Sequence, residues 1–161
     1  MKLDPVDFRI LTAVQLDGRI TKVALAERVG LSPTPCWNRL RRLEEAGVIS
    51  GYHARIAPRS VAPITFIVVE IKLAGHKKHD FDRFERAVKL APQVVSCWAT
   101  GGAVDYVLRV VARDVAAYQE IMDRLLAEEI GIRSCVAFVV TKTIKDDPVL
   151  PIPEALKPSQ R

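Results

Sequence analysis

Between Thr21 and Gly47 the chain carries two helical segments only about four residues apart, and that spacing leaves few ways to fold. Thr21 can cap a short helix that runs to Val29 with Leu25 and Val29 inward, and Gly30 supplies a left-handed stop. Leu31 is then the buried pin of the turn. Ser32-Pro33 opens the next helix, with the serine hydroxyl as cap and proline where a missing N–H costs nothing. That helix runs to about Ala46, and Gly47 ends it. At about 100° per residue Cys36, Leu40 and Leu43 share one face, which must be the buried one. The opposite arc carries Thr34, Asn38, Arg41 and Arg42, with Pro35 and Trp37 near the helix start and Arg39 on the flank of the core. The pattern predicts a helix-turn-helix over about residues 22–41.

An outward face of hydrogen-bonding and cationic groups suits double-stranded DNA, whose major groove offers donors and acceptors at base edges between two walls of phosphate. The first turns of such a helix enter deepest, so Thr34, Trp37 and Asn38, flanked by Ser32 and Pro35, are candidates for base-edge or thymine-methyl contacts. Arg39, Arg41 and Arg42 are candidates for phosphates. The alternative is an ordinary solvated helix face. The charge distribution favours DNA: of a net +5, residues 1–60 hold ten Lys/Arg against six Asp/Glu, and the remainder fourteen against thirteen.

Upstream, Asp4-Pro5 reads as a helix start, with Asp4 as N-cap, Asp7 favouring the positive end of the dipole, and Leu3 and Phe8 placed for a hydrophobic staple. Asp7, Ile10, Leu11 and Val14 recur at helical spacing until Asp17-Gly18 closes the segment. Downstream, Val48–Ile56 alternates like a strand and would serve as a wing or connecting strand. His53 and Arg55 there either touch the DNA backbone or face solvent.

Pro58 to Pro63 mark a hinge, after which the pattern changes. Strands are predicted over residues 64–73, 94–99, 105–111 and 132–144, and helices over 81–90 and 115–128. The order βαββαβ is the ferredoxin-like arrangement, so the fold class is α+β. The domains predicted are a winged helix-turn-helix over 1–60, the ferredoxin-like domain over 61–145, and a tail over 146–161 with Pro148, Pro151, Pro153 and Pro158, extended or partly disordered. On the third strand both faces carry apolar residues, so one face remains to be covered, and pairing of two sheets in a homodimer would do this.

Cys36, Cys97 and Cys135 lie far apart with no CxxC pair, which argues against a disulfide framework or a zinc site and for a reducing cytoplasm. No apolar stretch reaches the ~18 residues of a membrane span. No catalytic, metal or phosphate-loop spacing gathers His76, His79, Cys97, Asp105 and Cys135, so neither an enzyme nor a cofactor is implied. A thiol sensor using Cys97 or Cys135 and an effector-free, nucleoid-organising protein remain as rival readings.

Leu3-Asp4 with Asp7 and Ile10-Leu11, Leu25-Ala26, Gly30-Leu31-Ser32, Arg39, Arg42-Leu43-Glu44, Gly47-Val48-Ile49 and Gly51-Tyr52 together resemble the Lrp/AsnC family of bacterial and archaeal regulators. Gly102 through Asp105-Tyr106, Gly131-Ile132 and Lys145 extend the resemblance over nearly the whole chain, and the segment Ser32-Pro33-Thr34-Pro35-Cys36-Trp37-Asn38-Arg39 is closest in motif to the DecR/BkdR-like branch. The resemblance implies a cytoplasmic, nucleoid-associated homodimer with a RAM-type second domain, assembling into tetramers or octamers on pseudo-palindromic promoter sites under control of an amino-acid effector. It also implies that Gly101, Gly102, Ala103, Val104 and Asp105, with Ala137 on the last strand, border the effector, held largely by backbone groups. Asp105 is either a ligand contact or a structural turn carboxylate. Ala103-Val104 stands where many members have Glu-Tyr, and Ala137 where they have Thr or Ser, so the ligand is less polar, differently held, or lost.

Overall fold

The computed structural model describes residues 2–147 and 149–151. Over the described residues the chain forms two compact units, one of the residues up to Arg55 with those from Lys145, the other of Ile56–Ile144. The divisions thus fall at 55/56 and 144/145, where the sequence pattern placed them at 60/61 and 145/146. Two interactions explain why residues after Lys145 belong to the first unit. Gln15 brackets Leu150, accepting from its N–H at 2.9 Å and donating to its carbonyl at 3.4 Å, and the Arg55 guanidinium donates to the Asp146 carbonyl. The tail is therefore docked over its described part, and Pro148, Pro153 and Pro158 lie outside the described residues.

The first unit holds α1 (Pro5–Leu16), α2 (Lys22–Val29) and α3 (Pro33–Glu45). Asp4 caps α1 through Oδ1, which accepts from the Val6 and Asp7 N–H groups, and Asp7 Oδ2 accepts from the Asp4 N–H at 3.1 Å. This reciprocal box satisfies N–H groups that a helix start leaves unpaired. Thr21 Oγ1 accepts from the Ala24 N–H, and Gly30 takes the left-handed φ of 72° that turns the chain between α2 and α3. The core gathers Ile10, Leu11 and Val14 from α1, Leu25, Ala26 and Val29 from α2, and Cys36, Leu40 and Leu43 from α3.

Two expectations are corrected here. Ser32 occupies the N-cap position of α3, yet its hydroxyl makes no capping hydrogen bond. The reason lies in the sequence: a capping hydroxyl seeks the N–H of the second or third helical residue, and the third is Pro35, which has none. The stretch after α3 forms no strand. Val48 and Ile49 both donate to the Leu43 carbonyl, folding the chain back on the helix end, and among the described residues no segment of the first unit offers Val48–Ile56 a ladder partner. Tyr52 instead donates to Glu44 Oε1 at 2.8 Å, and burial, then this carboxylate, push its phenol up to about 12.

The second unit has the predicted order, β1 (Thr65–Leu73), α4 (Lys78–Leu90), β2 (Val94–Ala99), β3 (Tyr106–Ala112), α5 (Val115–Ala127) and β4 (Ile132–Val139). Its antiparallel sheet has the order β2-β3-β1-β4. Ile67, Val69, Ile71 and Leu73 of β1 and Tyr106, Leu108 and Val110 of β3 point to the helix side, where Phe84 and Val88 of α4 and Ile121, Met122 and Leu125 of α5 bury them. The last strand ends at Val139, short of the expected residue 144. A strand extends only as far as its neighbour: Val139 pairs with Ile67, close to where β1 begins at Thr65.

The opposite face of the sheet carries Phe66, Val68, Trp98, Val107, Val111, Val136 and Phe138. Trp98, Val136 and Phe138 are about half exposed. Residues 133–139 of β4 are exposed on both faces, because the helices reach across β1 and β3 but not over this edge strand.

Candidate functional site

The outward arc of α3 is as its periodicity predicts: Thr34, Pro35, Asn38 and Arg41 are exposed, while Cys36, Leu40 and Leu43 are buried. Ser32 stands exposed at the head of the helix, its hydroxyl not used in capping. Arg41 pairs only with Glu45, one turn on, at 3.1 Å with both side chains more than half exposed. An exposed pair of this kind contributes ~0.3–0.5 kcal/mol, so Arg41 can leave it for a phosphate.

Arg39 and Arg42 are placed differently. Arg39 Nη1 donates to Asp4 Oδ2 at 2.6 Å and to Asp7 Oδ1 at 2.9 Å, and Arg42 Nη2 donates to both Asp7 oxygens at 2.9 and 2.8 Å. Asp7 is fully buried, and it is the one charged side chain in that state among the described residues. The i, i+3 pair Asp4/Asp7 on α1 thus faces the i, i+3 pair Arg39/Arg42 on α3. The Asp7 backbone N–H first, then the Arg39 guanidinium, hold the Asp4 carboxyl below the usual carboxylate range, and the two acids raise Arg39 in turn.

The stabilisation that this lowering confers is complete at neutral pH and is lost as pH falls below the ordinary aspartate range and through the folded-state value. Thermal melts should therefore fall more steeply with acid in the wild type than in Asp4→Asn, which keeps a capping oxygen but does not titrate. Parallel melting curves for the two proteins would contradict this account.

Trp37 also departs from its expected role. It packs against the core, and the Lys22 ammonium lies 3.5 Å from its ring centroid, tying the start of α2 to α3. Neither Lys22 as a partner of Trp37 nor Asp4 and Asp7 as partners of the arginines follows from helical periodicity. The legible signal for Asp7 was its position on the stripe of Ile10, Leu11 and Val14.

In the second unit the turn between β2 and β3 is firmly pinned. Thr100 Oγ1 donates to the Val104 carbonyl and Thr100 N–H to the Asp105 carbonyl, while Asp105 N–H donates to Ile71. Asp105 Oδ2 accepts from the Leu73 N–H at 2.7 Å, and Oδ1 lies 3.0 Å from His76 Nε2. Each carboxylate oxygen thus has one partner within the unit, and His76, distant in sequence, joins the turn. Gly102 takes a φ of 141°, and neither Gly101 nor Gly102 has a neighbour where a Cβ would stand, so backbone groups are open there. Ala103 is exposed. Ala137 is exposed on β4, paired with Val69, so β1 lies between it and the turn. At about 4.8 Å per strand the two are separated by on the order of 10 Å.

Two family models match the chain, a winged helix-turn-helix DNA-binding model over residues 3–50 and an Lrp/AsnC ligand binding domain model over residues 67–150. This chain belongs to the Lrp/AsnC family. As an Lrp/AsnC protein it is a DNA-binding transcriptional regulator with a ligand-binding domain, not an enzyme. It is 45% identical to the transcriptional regulatory protein DoeX of Halomonas elongata over 145 residues, 90% of this chain and 92% of that one. It is 37% identical to the leucine-responsive regulatory protein of Escherichia coli K12 over 143 residues, 89% of this chain and 87% of that one. Among solved structures, an AsnC family regulator from Agrobacterium tumefaciens superposes with a TM-score of 0.89 at 37% identity, covering 96% of this chain and 100% of that one. A Neisseria meningitidis transcriptional regulator in complex with L-Met gives 0.88 at 34% identity with the same coverage. No helix among the described residues is long and apolar enough to cross a membrane.

Proposed function

We propose that this Lrp/AsnC regulator reads promoter DNA through Ser32, Thr34, Pro35, Asn38 and Arg41. The observation that carries the reading is the exposed arc of α3, where Thr34 and Asn38 can reach base edges and Arg41 is tied only to an exposed glutamate. Arg39 and Arg42 support that arc from its flank, and Trp37 joins α3 to α2. Arg41→Ala should weaken binding to all sequences and flatten the salt dependence by about 0.9 in the log–log slope, one phosphate fewer per head. Asn38→Ala should change which sequences are preferred and leave the slope alone. Binding and site selection from a random-sequence library, measured across salt, check both. If neither substitution moves anything, α3 is not the reading helix.

The protein works as a homodimer on pseudo-palindromic sites, paired through the open sheet face and assembling further into tetramers or octamers. The half-exposed Val136 and Phe138 on β4, beside Val68, support this, as does Trp98, half exposed at the opposite edge of the same face, since large apolar side chains left open in this number seek a partner. The effector is a small amino acid bordered by Gly101, Gly102, Ala103, Val104 and Ala137, with Asp105 shaping the turn. Support comes from the L-Met complex of the Neisseria relative and from the open backbone at Gly101-Gly102. Because β1 separates Ala137 from the turn in one protomer, a pocket using both sides is completed by a neighbouring copy. Binding between copies couples ligand to assembly, and assembly sets how many heads engage DNA together. A thermal-shift screen of the twenty amino acids, followed by DNA footprints with any hit, tests this, and twenty null results would favour an effector-free DNA organiser.

A further inference from the structure

The core that seats α3 is apolar, and apolar contact is nondirectional: Cys36, Leu40 and Leu43 fix that the helix is buried, but tolerate small rotations about its axis. Directional restraint comes from Asp7. Its two oxygens accept three hydrogen bonds from Arg39 and Arg42, which lie one turn apart on the flank of α3, and its own backbone is fixed by the Asp4 cap. A fully buried carboxylate is an expensive way to hold two helices together, since apolar residues of similar volume commonly stabilise as well or better. Its use here makes sense if it sets an angle.

We propose that Asp7 is a positioning residue for DNA reading, which clamps Arg39 and Arg42 so that the rotation of α3 presents Thr34 and Asn38 to base edges, and that these two arginines are not phosphate ligands. This rests on α3 being the reading helix. Each guanidinium meets the acids through one terminal nitrogen, Arg39 Nη1 bridging Asp4 and Asp7 and Arg42 Nη2 bridging the two Asp7 oxygens, and the fixed in-plane N–H directions of that nitrogen set orientation as well as distance, which the freely rotating ammonium of a lysine does not. The clamp therefore acts on discrimination between sequences, and leaves unspecific attraction to the phosphate backbone to Arg41 and other exposed cations.

The test compares the full-length wild type with Asp7→Leu/Arg39→Met/Arg42→Met, using a duplex selected by the wild type from a random library and an unselected duplex of equal length. The triple variant should melt within a few degrees of the wild type. Its affinity for the selected site should fall about tenfold or more, while affinity for the unselected duplex stays within about twofold and the salt slope is unchanged. Retention of the wild-type ratio between the two duplexes would show that the network only supports the fold. A salt slope lower by about two per head, with both affinities reduced alike, would return the arginines to the phosphates. Arg39→Lys/Arg42→Lys keeps the charges and loses the planar guanidiniums, so it supplies the same comparison if the triple variant fails to fold; full discrimination in it overturns the clamp. Loss of no binding at all in Asn38→Ala/Arg41→Ala would instead sink the reading-helix assignment on which the inference stands.

Discussion

An Arg39→Met/Arg42→Met variant should lose about 3–5 kcal/mol of stability, more than an Asp7→Ala variant that removes the other half of the same ion pairs. The asymmetry follows from burial. Asp7 is fully enclosed, so taking away both guanidiniums strands a carboxylate with only the Asp4 N–H for company. The arginine side chains are 31% and 49% exposed, so they can regain water when Asp7 is removed. Asp7→Ala then costs a small cavity and the loss of one acceptor for the Asp4 N–H, about 1–3 kcal/mol. Against a total of about 5–15 kcal/mol for a folded protein, the double variant should leave the first unit near its unfolding threshold. Urea unfolding followed by Trp37 fluorescence reports that unit, though Trp98 must first be replaced by Phe to silence the second. Equal losses in the two variants would mean that Asp7 is better solvated than its enclosure indicates.

The same tetrad shows where reading the sequence stops. Asp4, Thr21, Gly30 and Gly47 were legible because each acts within a few residues of itself, at a helix end whose requirements are local. The buried and exposed arcs of α3 were legible for the same reason, since periodicity alone sets them. Arg39 and Arg42 looked like phosphate ligands because their partner lies 32 and 35 residues away, and only folding brings α1 across. The contact of His76 with Asp105, 29 residues apart, is of the same kind. Val48–Ile56 alternates as a strand does, but alternation describes a face and cannot supply the neighbour that a ladder needs. Ser32 is the local case that was missed: Pro35 in the third helical position removes one of the two donors its hydroxyl could have used.

Phe138→Glu should disrupt assembly with little effect on the folded protomer. Its side chain is half exposed on an edge strand and opposite Val68, so within one chain the substitution removes only modest burial. In a two-fold interface through this sheet face every residue occurs twice, and two carboxylates would enter an apolar contact beside Val68 and Val136. The dimer dissociation constant should rise at least about 100-fold, the effect of about 2.7 kcal/mol. The consequence for DNA matches that of a strong single base contact on α3. A second head that arrives tethered gains on the order of 100-fold or more in avidity, and a monomer forfeits it. Affinity for a duplex with two half-sites should therefore fall by about that factor, while affinity for one half-site is unchanged because Thr34, Asn38 and Arg41 are untouched. Sedimentation equilibrium together with binding to both duplexes separates the possibilities. An unaltered dimer would place the interface on another surface, and an altered dimer with undiminished two-site binding would mean that each head finds its half-site without help from the other.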